Sequence, residues 1–440
     1  MSERDQLVGV IGLGYVGLPL AIGLAQVGVT VIGLDVDPQK VERLNRGESH
    51  IPDVPSEAVE RLVQAGRFKA TADANALRQP DAIFICVPTP FDANRAPDLS
   101  YIRSAGESIQ PRLRTGHLVV LESTTYPGTT EEVLQPMLES TGLRAGIDFD
   151  MAFVPERIDP GQVESQGWTI VNTPKVVGGL TPQGARRAAK ILEKMGAPVH
   201  IVSSPRTAEM AKLLENTFRS VNIALVNELA LLCERMGIDM WEVIAAASTK
   251  PFGFMPFRPG PGVGGHCIPI DPLYLSWKAR EYDFHTNFIN LAAQVNDDMP
   301  YHVADLIVRG LSKQGRALDG ARVLVLGVAF NRDIDDARNS PAERLIELLI
   351  ERGASVTYHD PHVPRFRVGG NVFHRARETF ESVPLTGPAL AEADCVVVVT
   401  GHTSIDYRRV AASAKLVVDS CNAVPRDGTA RIVRLGTPHQ

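Results

Sequence analysis

Residues Gly12-Leu13-Gly14-Tyr15-Val16-Gly17 stand between an apolar run, Leu7–Leu13, and a segment with helical spacing, Leu18–Val27. A strand, a tight glycine turn and a helix in direct succession restrict the start of the chain to a parallel α/β unit. Gly12 permits the turn, Gly14 lets the backbone approach a pyrophosphate, and Gly17 allows close helix–strand packing. The helix N-terminus then offers free N–H groups to phosphate oxygens. A second strand, Val29–Leu34, ends at Asp35, about 20 residues beyond the turn, where an acid can accept hydrogen bonds from both ribose hydroxyls. Asp35 would repel a 2′-phosphate, so the expected cofactor is NAD rather than NADP.

The same grammar continues and then returns. Ala82–Val87 and Leu118–Glu122 read as further buried strands, and Pro38–Asn45 as a helix. Near the other end, Arg322–Val328, Ser355–Tyr358, Cys395–Thr400 and Lys415–Asp419 read as strands around a helix at Ser340–Arg352. Val31-Ile32-Gly33-Leu34-Asp35 parallels Val356-Thr357-Tyr358-His359-Asp360. Only Gly327 marks the equivalent turn, so no second dinucleotide is expected there. Between these regions Ser204–Met236 has few helix breakers and an apolar stripe through Leu213, Leu214, Val221, Leu225 and Leu229. Thr286–Ser312 is a second long helix that Pro300 should kink or split. The expected fold is α/β: two Rossmann-like parallel-sheet domains, 1–203 and 315–440, joined by a long-helix central dimerisation domain, 204–314.

At 440 residues such domains need no disulfide staple. With 45 basic and 51 acidic residues, net charge −6, the chain is not a general nucleic-acid binder. No signal-peptide pattern and no apolar run of membrane-spanning length occur, which points to a reducing cytoplasm. The five cysteines, at 86, 233, 267, 395 and 421, form no CxxC pair, and no metal is expected.

Four of these cysteines sit in or beside apolar strands or on a helix and read as core. Cys267 differs: it follows the Gly/Pro-rich segment Pro259–Gly265, whose glycines give a ligand access to the backbone, and Asp271 lies one helical turn on. His266 reads as a loop-packing residue. Lys212, Asn216 and Arg219 share one helix face in an otherwise apolar stretch. A lysine placed there beside a reactive centre could hold an oxyanion or exchange a proton; a solvated face is the alternative.

Taken together, Gly12–Gly17, Val87-Pro88-Thr89-Pro90, Glu122 to Thr129, Val154-Pro155-Glu156-Arg157, Ala211-Lys212…Asn216 and Gly264-Gly265-His266-Cys267…Asp271 resemble the nucleotide-sugar 6-dehydrogenases over nearly the whole chain. The resemblance implies a four-electron, NAD-dependent oxidation of a sugar C6 alcohol to a carboxylate. It makes Cys267 the nucleophile and Lys212 the proton donor and acceptor. Asn216 and Asp271 support them, and Glu156 and Thr124 position water or transfer a proton. It assigns Gly12, Gly14, Tyr15, Val16, Gly17, Asp35, Lys40, Thr89, Thr124 and Arg338 to NAD. Arg157, Lys212, Asn216, Arg219, Lys250, Arg258, Gly264 and Arg332 fall on the sugar-nucleotide side, and a homodimer is implied.

Two departures from the family pattern bear on the substrate. UDP-glucose members carry a second glutamate where this chain has Pro160, and the Pro155-Glu156-Arg157…Pro160-Gly161 form is closer to the UDP-N-acetylhexosamine branch. The lysine that usually follows Gly327-Val328-Ala329-Phe330 is replaced by Asn331, with Arg332 next as the phosphate contact. UDP-N-acetylglucosamine is thus the expected substrate and UDP-glucose the alternative. A two-electron hydroxyacid dehydrogenase or a non-enzymatic NAD sensor would need no nucleophilic cysteine.

Overall fold

The computed structural model describes residues 7–90, 96–158, 168–170, 172–265, 267–371, 374 and 376–438. His266, Pro160 and Gly161 lie outside the described residues. The chain divides into two compact units, Met1–Glu215 with Leu273–Phe284, and Asn216–Pro272 with His285–Gln440.

The first unit is built on an eight-stranded sheet. Its strands are β1 (Leu7–Ile11), β2 (Thr30–Leu34), β3 (Phe68–Thr71), β4 (Ala82–Ile85), β5 (Leu118–Leu121), β6 (Asp150–Phe153), β7 (Lys175–Gly179) and β8 (Val199–Val202). They lie in the order β3-β2-β1-β4-β5-β6-β7-β8. All pair in parallel except β6 with β7. Strand order reverses between β1 and β4, the crevice where such sheets take their ligands. The strands alternate between two cores. Val8, Val10, Phe84, Leu118 and Val120 enter one, and Ile11, Ile83, Ile85, Val119 and Leu121 the other. That alternation covers both faces, as a parallel sheet requires. The helix after the glycine turn, α1 (Gly17–Gln26), buries Leu18, Leu20, Ala21 and Leu24.

The second unit carries β9 (Arg322–Leu326), β10 (Ser355–His359), the hairpin β11 (Arg365–Gly369) and β12 (Arg377–Glu381), then β13 (Cys395–Val398), β14 (Leu416–Asp419) and β15 (Arg431–Arg434). Five of these form an all-parallel sheet ordered β10-β9-β13-β14-β15. The expected likeness between the two α/β regions is realised atom for atom at the first turn. Gly12 N–H bonds the Leu34 carbonyl and Gly327 N–H bonds that of His359. Asp35 accepts Leu13 N–H, and Asp360 accepts Val328 and Ala329 N–H.

Two long helices follow the expected spans. α2 (Pro205–Met236) and α3 (Cys267–Ala279) each run across the division between the units, and α4 (Asn287–Ser312) lies in the second. Pro300 does not split α4. One lost hydrogen bond costs about 3 kcal/mol in a helix interior. Here the same helix buries Met299, Val303, Leu306, Ile307 and Leu311 in the core of the second unit, which outweighs it. Among the described residues no helix is long and apolar enough to cross a membrane.

Candidate active site

The dinucleotide turn has the geometry its glycines imply. Gly12 has φ +88°, and a Cβ there would lie 2.6 Å from the Cys86 carbonyl oxygen. A Cβ on Gly17 would lie 1.9 Å from the Gly12 oxygen, so α1 can pack onto β1 only through glycine. A Cβ on Gly14 would meet nothing within 4 Å, leaving an open approach to the backbone. Tyr15 is exposed and Val16 half-buried beside it. Asp35, buried at the end of β2, accepts Leu13 N–H through Oδ2 and Asp37 N–H through Oδ1, both at 3.0 Å. A carboxylate offers about four acceptor positions, so two remain for ribose hydroxyls. Lys40 Nζ stands 3.7 Å from Asp35 Oδ2. These residues fit NAD.

The second turn does not repeat this. Asp360 is spent internally: it also accepts His362 and Val363 N–H and, at 3.0 Å, His402 Nε2. Burial would raise its carboxyl, but the His402 contacts and the backbone N–H groups hold it well below the usual range. The next helix, α5 (Pro341–Glu351), starts 14 residues after Gly327 instead of at the turn. Asp333, His362 and His402 also lie together, with candidate ligand atoms within 4.8 Å. His402 Nδ1 accepts Asp333 N–H, and Thr403 N–H and Oγ1 bind the Asp333 carboxylate, so these groups brace the loop that carries exposed Arg332.

In the first unit Thr89 is buried, and its carbonyl accepts the Tyr274 hydroxyl. Thr124 is half-buried after β5. Glu209 anchors the loop that follows by accepting Gly128 N–H at 2.5 Å, Thr130 N–H at 3.0 Å and Thr130 Oγ1 at 2.7 Å. Glu156 is held as an anion. Oε2 meets Lys175 Nζ at 2.8 Å, and Oε1 accepts Arg157 and Ile158 N–H at 2.6 and 2.8 Å. Burial would raise its carboxyl, but the Lys175 ammonium and these bonds keep it low. Arg157 is clasped by Glu215 at 2.6 Å and by the Pro174 carbonyl at 2.9 Å. Lys212 is buried, and no described residue forms a hydrogen bond or ion pair with its Nζ. A buried lysine nitrogen with no partner in the chain is placed to meet a ligand.

In the second unit Cys267 is the first residue of α3 and half-buried, at the end of the helix whose dipole favours negative charge. Asp271, one turn on, has no solvent exposure and accepts Asn216 Nδ2 at 2.6 Å. Arg219 follows on the same face of α2, half-buried. Lys250 and Arg258 are exposed, Lys250 over the Phe252 ring. Arg338 pairs with Asp336 at 2.6 Å, and its carbonyl accepts Gly265 N–H.

Ligand access is not what Gly264 provides. A Cβ there would lie 2.7 Å from Phe330 Cβ and 3.0 Å from both the Asn339 carbonyl and Pro341. Gly265, at φ +83°, is pressed against the Phe330 ring. The glycines are required by packing within the chain.

Several supports carry little sequence signal. Asn227 Oδ1 accepts Gly260 N–H while its Nδ2 bonds Asn296 Oδ1, tying the loop before Cys267 to two helices. Asparagine inside apolar helices was the available clue. A lysine opening the buried strand β7 was the clue to Lys175. Of the cysteines expected in the core, Cys86 and Cys395 are buried, while Cys233 and Cys421 are half-buried.

Family models match the chain in three consecutive stretches. The UDP-glucose/GDP-mannose dehydrogenase NAD binding domain covers residues 6–196, the central domain 206–298 and the UDP binding domain 324–426. The chain belongs to the UDP-glucose/GDP-mannose dehydrogenase family. It is 38% identical over 402 residues to the UDP-N-acetyl-D-glucosamine 6-dehydrogenase of Pseudomonas aeruginosa, covering 91% of each chain. It is 35% identical to the UDP-N-acetyl-D-mannosamine dehydrogenase of Pyrococcus horikoshii over 95% of this chain and 96% of that one. A solved structure of a UDP-D-ManNAc dehydrogenase from Pyrococcus horikoshii superposes with TM-score 0.87 at 32% identity, covering 98% and 99%. A UDP-glucose dehydrogenase from Pyrobaculum islandicum gives TM-score 0.83 at 30% identity, covering 98% of each chain. The chain is therefore an NAD-dependent UDP-sugar dehydrogenase.

Proposed function

We propose that this dehydrogenase oxidises the C6 alcohol of a UDP-N-acetylhexosamine, UDP-N-acetylglucosamine first, to the carboxylate with two NAD and one water. The relatives named for N-acetylated substrates and the Pro155-Glu156-Arg157 sequence support the acetamido sugar. NAD, when bound at the glycine turn, accepts a hydride in each of the two oxidations. Lys212 takes the alcohol proton and steadies the oxyanion. The Cys267 thiolate adds to the aldehyde carbon, giving a thiohemiacetal whose oxidation leaves a thioester. Glu156, with Thr124, positions the water and takes its proton as the thioester opens and Cys267 leaves as thiolate.

The observation that carries this reading is the Asn216–Asp271 pair, buried one helical turn from Cys267. Arg157, Arg219, Lys250, Arg258 and Arg332 are the cations we assign to the sugar nucleotide, with Arg338 on the dinucleotide. The division at 203 and 314 remains our assignment of dinucleotide, central and nucleotide-binding parts. We assign a homodimer to the exposed apolar stripe of α2, in which Leu214, Phe218, Leu225, Leu229, Leu232 and Met236 all face solvent in the single chain. None of the five cysteines is in a disulfide, which suits a cytoplasmic enzyme.

The test is NADH formed per sugar consumed, with UDP-N-acetylglucosamine and UDP-glucose in parallel. Two per UDP-N-acetylglucosamine and little from UDP-glucose is the expected result. Two from UDP-glucose alone keeps the mechanism and changes the substrate. One or none from either overturns the reading. Cys267→Ala should abolish turnover; wild-type turnover would exclude the covalent route.

A further inference from the structure

The mechanism above gives no role to Glu122, the residue that follows β5 beside Thr124. Its carboxyl is 1% exposed. Oε2 accepts the Cys86 thiol at 3.2 Å, and Oε1 is buried with no partner among the described residues. Cys86 follows β4 and packs under the dinucleotide turn, its Cβ 3.0 Å from where a Gly17 Cβ would stand. β5 pairs in parallel with β6 and β6 antiparallel with β7, so Glu122 after β5, Glu156 after β6 and Lys175, which opens β7 and has no solvent exposure, stand at one edge of the sheet, and both act on Glu122. Among the described residues, Cys86, Glu156 and Lys175 are the titratable groups that face it.

Charge counting in this dry cluster fixes its state. Lys175 and Glu156 neutralise each other at 2.8 Å, and Glu156 is committed as the anion by two backbone N–H groups. An ionised Glu122 would add a second negative charge against one buried cation, which desolvation strongly opposes. Burial accordingly pushes the Glu122 carboxyl up to about 7 despite the pull of Lys175. Glu122 is the neutral member of the cluster below neutrality and becomes charged above it. A like charge close to Glu156 then favours proton uptake there.

We propose that Glu122 is a positioning residue for Glu156: both carboxyls lie at the sheet edge where Lys175 is the buried ammonium, and the charge on Glu122 sets the basicity of Glu156. The proposal rests on the reading that Glu156 handles the proton in the hydrolytic step. No proton need pass between the carboxyls; the coupling is electrostatic. Above neutral pH the ionised Glu122 makes Glu156 the stronger base, and the rate rises.

Glu122→Gln keeps the size and fixes the neutral state. The variant should turn over within about twofold of wild type at pH 6 and fall several-fold below it at pH 8.5, without the neutral inflection in kcat. Its NAD Kd should match wild type at both pH values. Parallel profiles, or a uniform loss at every pH, would overturn the proposal and leave Glu122 a packing residue. Infrared difference spectra of the full chain supply a readout independent of turnover. A protonated carboxyl band should disappear through neutral pH in wild type and be missing in Glu122→Gln. No such band in wild type overturns the proposal. A titrating band in a protein that turns over no nucleotide sugar overturns the functional reading instead, and the coupled pair stands.

Discussion

Asn216 Nδ2 donates a 2.6 Å hydrogen bond to Asp271 Oδ2, and both residues are buried. A buried carboxylate depends on such donors, because it has exchanged water for them. Asn216→Ala should therefore lower stability by about 1–3 kcal/mol, the cost of a buried group losing its partner. It should also reduce turnover at least tenfold, since Asp271 stands one turn from Cys267. Asp271→Asn keeps the volume and removes the charge, so it should lose turnover with a smaller change in stability. Urea unfolding and initial rates on the two variants check both statements.

The Glu122 carboxyl makes a prediction about stability that needs no substrate. Its proton is held to about pH 7 in the folded chain and released near 4.5 when unfolded. The folded state thus gains from this group below about 4.5 and loses that gain as pH rises to about 7. The full effect is about 3 kcal/mol, from 1.36 kcal/mol per pH unit. Glu122→Gln should remove this slope. Measured by urea midpoints at pH 5 and pH 8, the variant should gain on wild type at the higher pH. An unchanged difference at the two pH values would show that the carboxyl titrates alike in both states.

Along α2 the apolar side chains divide between two destinations. Leu213 is fully buried, whereas Leu214 and Leu225 are 60% and 52% exposed. The exposed set recurs at helical spacing from Leu214 to Met236, so it forms one stripe. If this stripe is the dimer seam, Leu225→Glu should convert a dimer to monomers in sedimentation velocity at micromolar protein. A wild-type monomer would overturn the homodimer, and a variant that remains dimeric would move the interface elsewhere.

Local chemistry made much of the fold legible in the sequence. Gly12, Gly17 and Asp35 belong to one continuous strand–turn–helix–strand unit, in which Asp35 meets Leu13 only 22 residues back, so their spacing carries the turn, the helix start and the strand end. The match of Asp35 to Asp360 was readable for the same reason. Their different fates were not, because His402 reaches Asp360 from 42 residues away. Pro300 misled because propensity is local, while the burial that keeps α4 whole comes from the core of the second unit. Glu122, Cys86, Glu156 and Lys175 leave four separate strand ends, and only the sheet order brings them together. Asn227 and Asn296, 69 residues apart, escaped notice for that reason too.

Gly264 tests how the loop before Cys267 is held. If its glycine served ligand approach, Gly264→Ala would weaken substrate binding and leave the free enzyme stable. The structure points the other way, since the added methyl would sit 2.7 Å from Phe330 Cβ and 3.0 Å from the backbone oxygen of Asn339. Phe330 and Asn339 cannot both yield, because Asn339 Nδ2 is already bonded to the Gly265 carbonyl at 3.1 Å and Pro341 closes the third side. Overpacking of this kind costs about 1–3 kcal/mol. The Tm of Gly264→Ala without ligand should therefore fall by several degrees, and kcat should fall because Cys267 follows three residues later. Gly260→Ala is the control: a Cβ there meets nothing within 4 Å, so its Tm should stay at the wild-type value. Equal Tm values for the two variants would return Gly264 to the ligand.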